Sequence, residues 1–142
     1  MIVFQSENVA VPYFPKSLVR EWIRTVAAGY GRKESGIGYI FCDDCRILEV
    51  NRQFLGHDYY TDIITFDYSS GIKISGELYI SLDTVKSNSV KFGTVYQEEL
   101  YRVMIHGILH LCGIKDKGPG ERAVMEAAEN RALDMLKYMI GK

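Results

Sequence analysis

The sequence predicts an α+β fold: one mixed sheet of four strands packed with about five helices, in a single domain spanning residues 1–142. Three observations lead there. Strand-like and helix-like patterns alternate early in the chain, whereas its last part reads as helix alone. A Ser69-Ser70-Gly71 turn joins two neighbouring strand patterns, which makes a hairpin inside a sheet whose other strands are separated by helices. A chain of 142 residues is also the length of one domain, long enough to bury a proper core.

Each element has its own reason. Ile2 and Phe4 alternate with polar neighbours in a short first strand. Pro15 opens a helix to about Ala28 that carries Leu18, Val19, Trp22, Ile23 and Val26 on one face, and Gly29-Tyr30-Gly31 ends it. Ile37 to Cys42 is the second strand. Asp43 or Asp44 caps a helix bearing Ile47, Leu48, Val50, Asn51 and Phe54. Thr61 to Tyr68 and Ile74 to Ser81 are the hairpin strands, with Leu78 and Ile80 on one side of the second and Tyr79 on the other. Leu82 to Val90 is a short helix capped by Ser81 or Asp83. Thr94-Val95-Tyr96-Gln97 has capping-box spacing for the next helix, whose apolar face is Leu100, Val103, Met104, Ile108 and Leu111. After the break at Gly118-Pro119-Gly120, a helix from about Glu121 to Met139 buries Val124, Met125, Ala128, Leu136 and Met139.

Composition narrows the function classes. Hydrophobic residues at 47% and charged residues at 25% are those of a globular protein. With 17 basic and 18 acidic residues the net charge is −1, so a polyanion partner has to be held by a local basic patch. No stretch reaches the roughly 18 apolar residues of a membrane span, and the first residues lack a signal-peptide pattern. Three cysteines are too few for a disulfide framework, and a cytoplasmic location is expected.

The chemistry concentrates in His106-Gly107-Ile108-Leu109-His110-Leu111-Cys112-Gly113-Ile114-Lys115-Asp116, which holds two of the chain's three histidines. A helical residue turns about 100°, so positions i and i+4 stack on one face and two imidazoles there can grip one ion. Gly113 stops the helix, and the chain can fold back to bring Asp116 to the same ion. Three protein ligands leave a fourth position for water, the pattern of a catalytic zinc site. Zinc suits two imidazoles and a carboxylate best, one ion per chain, although iron and manganese use the same donors. In the metalloprotease pattern His-Glu-x-x-His, the residue after the first histidine is the general base. Here it is Gly107. A helical glycine costs about 1 kcal/mol against alanine. Two explanations stand: a substrate or backbone approaches the metal there, or the helix packs closely on the sheet.

Together these residues resemble the YbeY family of metal-dependent endoribonucleases that mature ribosomal RNA. Its hallmark is His-Gly-x-Leu-His-Leu-x-Gly-Tyr-Asp-His, matched at His106, Gly107, Leu109, His110, Leu111 and Gly113. Thr61-Asp62-Ile63-Ile64-Thr65-Phe66 is similar to the family's Thr-Asp-Val-Leu-Ser-Phe strand, with Asn51 upstream; Gly76-Glu77-Leu78 is similar to its Gly-Asp-Ile strand, and Glu121 and Met125 fit its closing helix. The similarity runs from about Asp44 to Leu133. Two departures stand out. Without gaps, Asp116 takes the third-histidine slot and Lys115 replaces the family's aspartate, whereas a one-residue insertion would put Lys117 in the ligand slot. A protonated lysine cannot bind a cation, which favours the ungapped register. Leu55 stands about where the family carries an arginine, for which Arg52, Arg102 or Arg122 are the substitutes on offer.

The resemblance implies cleavage of a single-stranded RNA phosphodiester at a zinc-held water, with ribosomal RNA and ribosomal particles as partners. His106, His110 and Asp116 are then the metal and catalytic residues. Arg102, Lys115, Lys117 and Arg122 are the candidate phosphate contacts. Tyr59, Tyr60 and Tyr79 are candidate stacking surfaces for bases. Cys42 is expected in the strand core, because the intervening Asp43 and Asp44 would raise a thiolate's pKa in a redox Cys-x-x-Cys. Cys112 points away from the histidine face, and His57 is expected as a solvated loop residue. Two rival functions are a small zinc metallopeptidase-like hydrolase, against which Gly107 argues, and a non-catalytic ribosome-assembly factor with a structural metal.

Overall fold

The computed structural model describes residues 1–57 and 61–142. The alternation at the N-terminus becomes β1 (Ile2–Ser6), followed by α1 (Lys16–Gly29), β2 (Lys33–Cys42), α2 (Asp44–Val50) and a π-helical turn at Asn51–Leu55. Next come β3 (Ile63–Asp67), β4 (Lys73–Ser81), α3 (Leu82–Phe92), α4 (Tyr96–Leu111) and α5 (Glu121–Ile140). The sheet order is β1-β2-β4-β3. β1 and β4 flank β2 in parallel, and β3 closes the far edge antiparallel to β4, with Ile63 opposite Ile80 and Thr65 opposite Leu78. The mixed sheet and its five helices are those expected from the sequence.

The pleat divides the side chains between two cores. Ile37, Tyr39, Phe41, Leu78 and Ile80 point into the larger one, against Trp22 and Ile23 of α1, Leu100, Met104 and Ile108 of α4, and Met125 and Leu136 of α5. Cys42, Ile64, Phe66 and Tyr79 lie in a smaller cluster with Ile47 and Val50 of α2. Each fully buried aliphatic side chain contributes roughly 1.5–3 kcal/mol relative to exposure. Two large side chains of this core have their polar atoms paired: Trp22 Nε1 donates to the Ala132 carbonyl at 2.7 Å, and the Tyr39 hydroxyl donates to that of Met104 at 2.8 Å.

Several boundaries differ from those expected, for identifiable reasons. β2 starts at Lys33, not Ile37, because its polar first residues pair with β4 by backbone alone. β3 begins at Ile63, not Thr61. Asp43 caps α2 by accepting from Arg46 N at 2.9 Å, and the expected longer helix widens into the π-helical turn. The capping box at Thr94 does not form. Val95 is the N-cap and no side chain caps it; Gln97 donates instead to the Tyr13 carbonyl and the Tyr101 hydroxyl, both at 3.0 Å. Val124 is exposed, not buried, since the inward face of α5 runs through Met125, Ala128, Ala132 and Leu136.

Candidate metal centre

α4 is buried around most of its girth, and only its polar edge reaches the surface beside β3. Gly107 sets how deeply it sits. A Cβ there would overlap Leu78 Cδ2 and stand 2.9 Å from Ile63 Cδ1. Of the two explanations for this glycine, close packing of helix on sheet is the one observed. The helix ends as the sequence implies: Gly113 has φ +96°, its N–H donates to the His110 carbonyl at 2.9 Å, and Ile114 N–H donates to that of Leu109 at 3.0 Å. This pair of bonds reverses the chain and brings Asp116 back over the histidines.

His106 and His110 lie edge to face with ring centroids 4.6 Å apart. Asp116 meets both: Oδ2 is 3.4 Å from His106 Nε2, and Oδ1 is 3.5 Å from His110 Nε2. One donor atom from each of the three residues lies within 4.8 Å of the others. Donors at roughly 2.0–2.2 Å around a tetrahedral ion would stand about 3.3–3.6 Å apart, and the two imidazole–carboxylate distances, one to each oxygen of Asp116, fall in that range. Asp116 Oδ1 points the same way: it is buried and makes no hydrogen bond among the described residues. A bare carboxylate oxygen in such a place is costly unless a positive charge or donor meets it.

A second layer of charge surrounds His106. Its Nδ1 is 2.6 Å from Glu129 Oε2 on α5. Arg102 donates from Nη1 to Glu129 Oε1 at 3.0 Å and from Nη2 to Asn130 Oδ1 at 2.8 Å. Burial pulls the His106 pKa down, but the Glu129 hydrogen bond and the charges of Glu129, Asp116 and Asp62 outweigh it and raise it overall. His110 goes the other way: burial and the neighbouring His106 charge lower its pKa, against the pull of Asp116. Burial likewise raises the carboxyl pKa of Asp62, opposed by the charge of His106, and that of Glu99, opposed by Arg102.

Two clefts, of about 490 and 450 Å³, meet at Asp62, His106 and Asp116, which line both. The first is bounded by Phe92, Glu99, Arg102, Arg122 and Glu129 among others. The second takes in Asn51, Leu55, His57, Thr65, His110 and Lys117.

The expected site residues sort themselves on this frame. His106, His110 and Asp116 converge, in the ungapped register. Arg102 and Arg122 line the first cleft and Lys117 the second. Arg102 is tied to Glu129 and Asn130, and Lys115 is exposed and lines neither of these clefts. Tyr79 packs against Phe66 in the smaller core, on the sheet face away from Leu78 and α4, so it offers no platform at this site. Tyr59 and Tyr60 lie outside the described residues. Leu55 lines the second cleft, so an aliphatic side chain stands where the family resemblance leads one to look for arginine. Cys42 is a core residue, its thiol pushed up to about 12 by burial and then by Asp43.

The comparisons with known proteins agree with this geometry. The family model described as Endoribonuclease YbeY matches residues 2–137. The chain belongs to the YbeY family. It is 60% identical over 134 residues to Endoribonuclease YbeY of Bacteroides thetaiotaomicron, covering 94% of this chain and 98% of that one. The same-named protein of Bacteroides fragilis is 62% identical over 136 residues, covering 96% and 98%. A solution structure of a Thermotoga maritima protein superposes with a TM-score of 0.66 at 26% identity, covering 96% of this chain and 89% of that one. The matched YbeY region contains every residue of the centre described above, from Asn51 to Glu129.

Two site residues escaped the sequence analysis as functional candidates. Glu129 had a legible signal: it interrupts the apolar stripe of Met125, Ala128, Ala132 and Leu133, and a carboxylate on a core face needs a partner. Asp62 lay inside the Thr61–Phe66 motif, but only the tertiary fold brings it, just ahead of β3, into the two clefts that His106 also lines.

Proposed function

We propose that this chain is a metal-dependent endoribonuclease that cuts single-stranded RNA in ribosomal RNA maturation, with residues 1–142 forming one such domain. The convergence of His106, His110 and Asp116 where two clefts meet supports this reading more than any other observation. Zinc is the ion these donors suit. When bound, it supplies Lewis acidity and a water acidified to a pKa of about 7.

The protein's own residues do the rest. His106 and His110 hold neutral nitrogens toward the ion, and Asp116 adds the carboxylate. Asp62, facing both clefts, is positioned to take a proton from an RNA hydroxyl or from water. The two clefts give a single strand a path on either side of the reacting phosphate. Lys117 and Arg122 sit in different clefts and can meet the flanking phosphates. Phe92, 60% exposed in the first cleft, offers a face for an unpaired base. A peptidase reading lacks its base, because Gly107 faces Leu78 and Ile63, where a longer side chain has no room.

Ribosomal RNA and ribosomal particles are the proposed partners, and the cytoplasm the proposed location. Among the described residues, no helix is long and apolar enough to cross a membrane. The test is cleavage of a defined single-stranded RNA by purified, zinc-loaded protein, lost with chelator and in His110→Ala. Cofractionation with ribosomal particles while metal stays bound and no RNA is cut would favour an assembly factor instead.

A further inference from the structure

We infer that Glu129 is a positioning residue of the metal centre: it accepts the Nδ1 proton of His106 and so aims Nε2 at Asp116, while Arg102 holds Glu129 in that pose. The inference rests on the metal-binding role proposed for His106. Its geometry is a chain of contacts across two helices: His106 Nδ1 to Glu129 Oε2 at 2.6 Å, Glu129 Oε1 to Arg102 Nη1 at 3.0 Å, and Arg102 Nη2 to Asn130 Oδ1 at 2.8 Å.

An ionised carboxylate only accepts hydrogen bonds, so the imidazole nitrogen facing it carries the proton. A neutral ring has one N–H. With that hydrogen on Nδ1, the lone pair is left on Nε2, the nitrogen 3.4 Å from Asp116 Oδ2. The same contact stops the ring from flipping. Glu129 is 8% exposed on the inward face of α5, between Met125 and Leu133, where an apolar residue would pack at less cost. The salt bridge from Arg102, one turn before His106 on α4, offsets that burial and fixes the carboxylate. His110 differs: its Nε2 lies 3.5 Å from Asp116 Oδ1, and no carboxylate meets its Nδ1 among the described residues. The two ligands of one helix are therefore oriented by different means. Outer partners of this kind change metal affinity by roughly 10–100-fold.

The test has two readouts. Zinc affinity of the full chain is measured by chelator competition for wild type, Glu129→Gln and Glu129→Ala. The His106 tautomer is read from imidazole nitrogen shifts in metal-free protein, at a pH above the ring's titration. We expect Nδ1–H in wild type, a mixed tautomer in Glu129→Ala, and a fall in zinc affinity of about 10–100-fold in that variant. Glu129→Gln, whose amide oxygen still accepts from Nδ1, should keep the tautomer and lose less than about tenfold. Wild-type protein with the proton on Nε2 overturns the inference even if the alanine variant does not fold. So does zinc affinity in folded Glu129→Ala within about twofold of wild type. If wild type itself takes up no zinc, the proposed metal falls and this inference with it; if only the variants fail to differ, this inference alone falls.

Discussion

His106 and His110 are one turn apart on α4, yet they occupy unlike surroundings. His106 is held by the Glu129 carboxylate of α5, in a cleft lined by Asp62, Glu99 and Glu126, and its pKa is raised. His110 faces the second cleft beside Lys117 and Thr65, and its pKa is lowered. Helix periodicity puts both rings on one face; tertiary neighbours from different elements shift the charge each prefers. Two histidines one turn apart on the same helix thus have their pKa values pushed in opposite directions, His106 up by its Glu129 contact and His110 down by burial.

The largest expected effect removes the comparison altogether. His106→Ala or His110→Ala should each lower zinc affinity by at least about a hundredfold, beyond the range of outer partners, and abolish RNA cleavage. Chelator titration of each variant checks it. If one histidine proves dispensable, the two are not co-ligands.

Gly107→Ala disturbs both rings together, by lifting α4 from β4 and β3. Overpacking costs about 1–3 kcal/mol, against a gain of about 1 kcal/mol in helix propensity. The net loss, on the order of 1 kcal/mol, should lower Tm by about 2–4 °C. Thermal unfolding of metal-free protein measures this, and an unchanged or higher Tm would mean that the helix does not rest on Leu78 as described.

Titration sharpens the contrast. In metal-free protein, proton NMR should find His106 above the ordinary value of 6.5 and His110 below it. His106 then contributes stability that is full below pH 6.5 and lost as pH rises through its folded-state value. His110 acts in the opposite sense: its contribution is intact above pH 6.5 and is lost as pH falls through its lowered folded-state value. The two windows meet near pH 6.5, where their joint contribution is greatest. Glu129→Gln removes the leading upward influence on His106, so its pKa should drop while that of His110 moves less. Equal movement of both would erase the asymmetry.

The smallest effect belongs to Lys115→Ala. The side chain is exposed and lines neither of the two clefts, so RNA cleavage should stay within about twofold, the size of an ordinary surface substitution. Lys117→Ala, in the second cleft, should weaken RNA binding more.

What the sequence made legible was whatever local periodicity and backbone chemistry control. The i, i+4 histidines, the glycine stop at Gly113 and the return of Asp116 depend on a helix and its end, and they were readable as such. The alternation at Ile2 and Phe4 and the turn at Ser69-Ser70-Gly71 set the sheet by similar means. Contacts between elements were hidden. The apolar stripe around Glu129 signals that it needs a partner, but not that the partner is His106, which lies 23 positions earlier on another helix. Gly107 left two readings open until the position of Leu78 closed one. The polar start of β2 and the widened turn at Asn51–Leu55 were missed because backbone pairing and a π-helical turn leave no apolar period to read.

The most direct measurement is elemental analysis of chelator-free wild-type, Asp116→Ala and Lys117→Ala proteins, each checked for folding. The account expects one zinc per chain in wild type and in Lys117→Ala, and essentially none in Asp116→Ala. Full zinc content in Asp116→Ala, or a metal-free wild type, would contradict it.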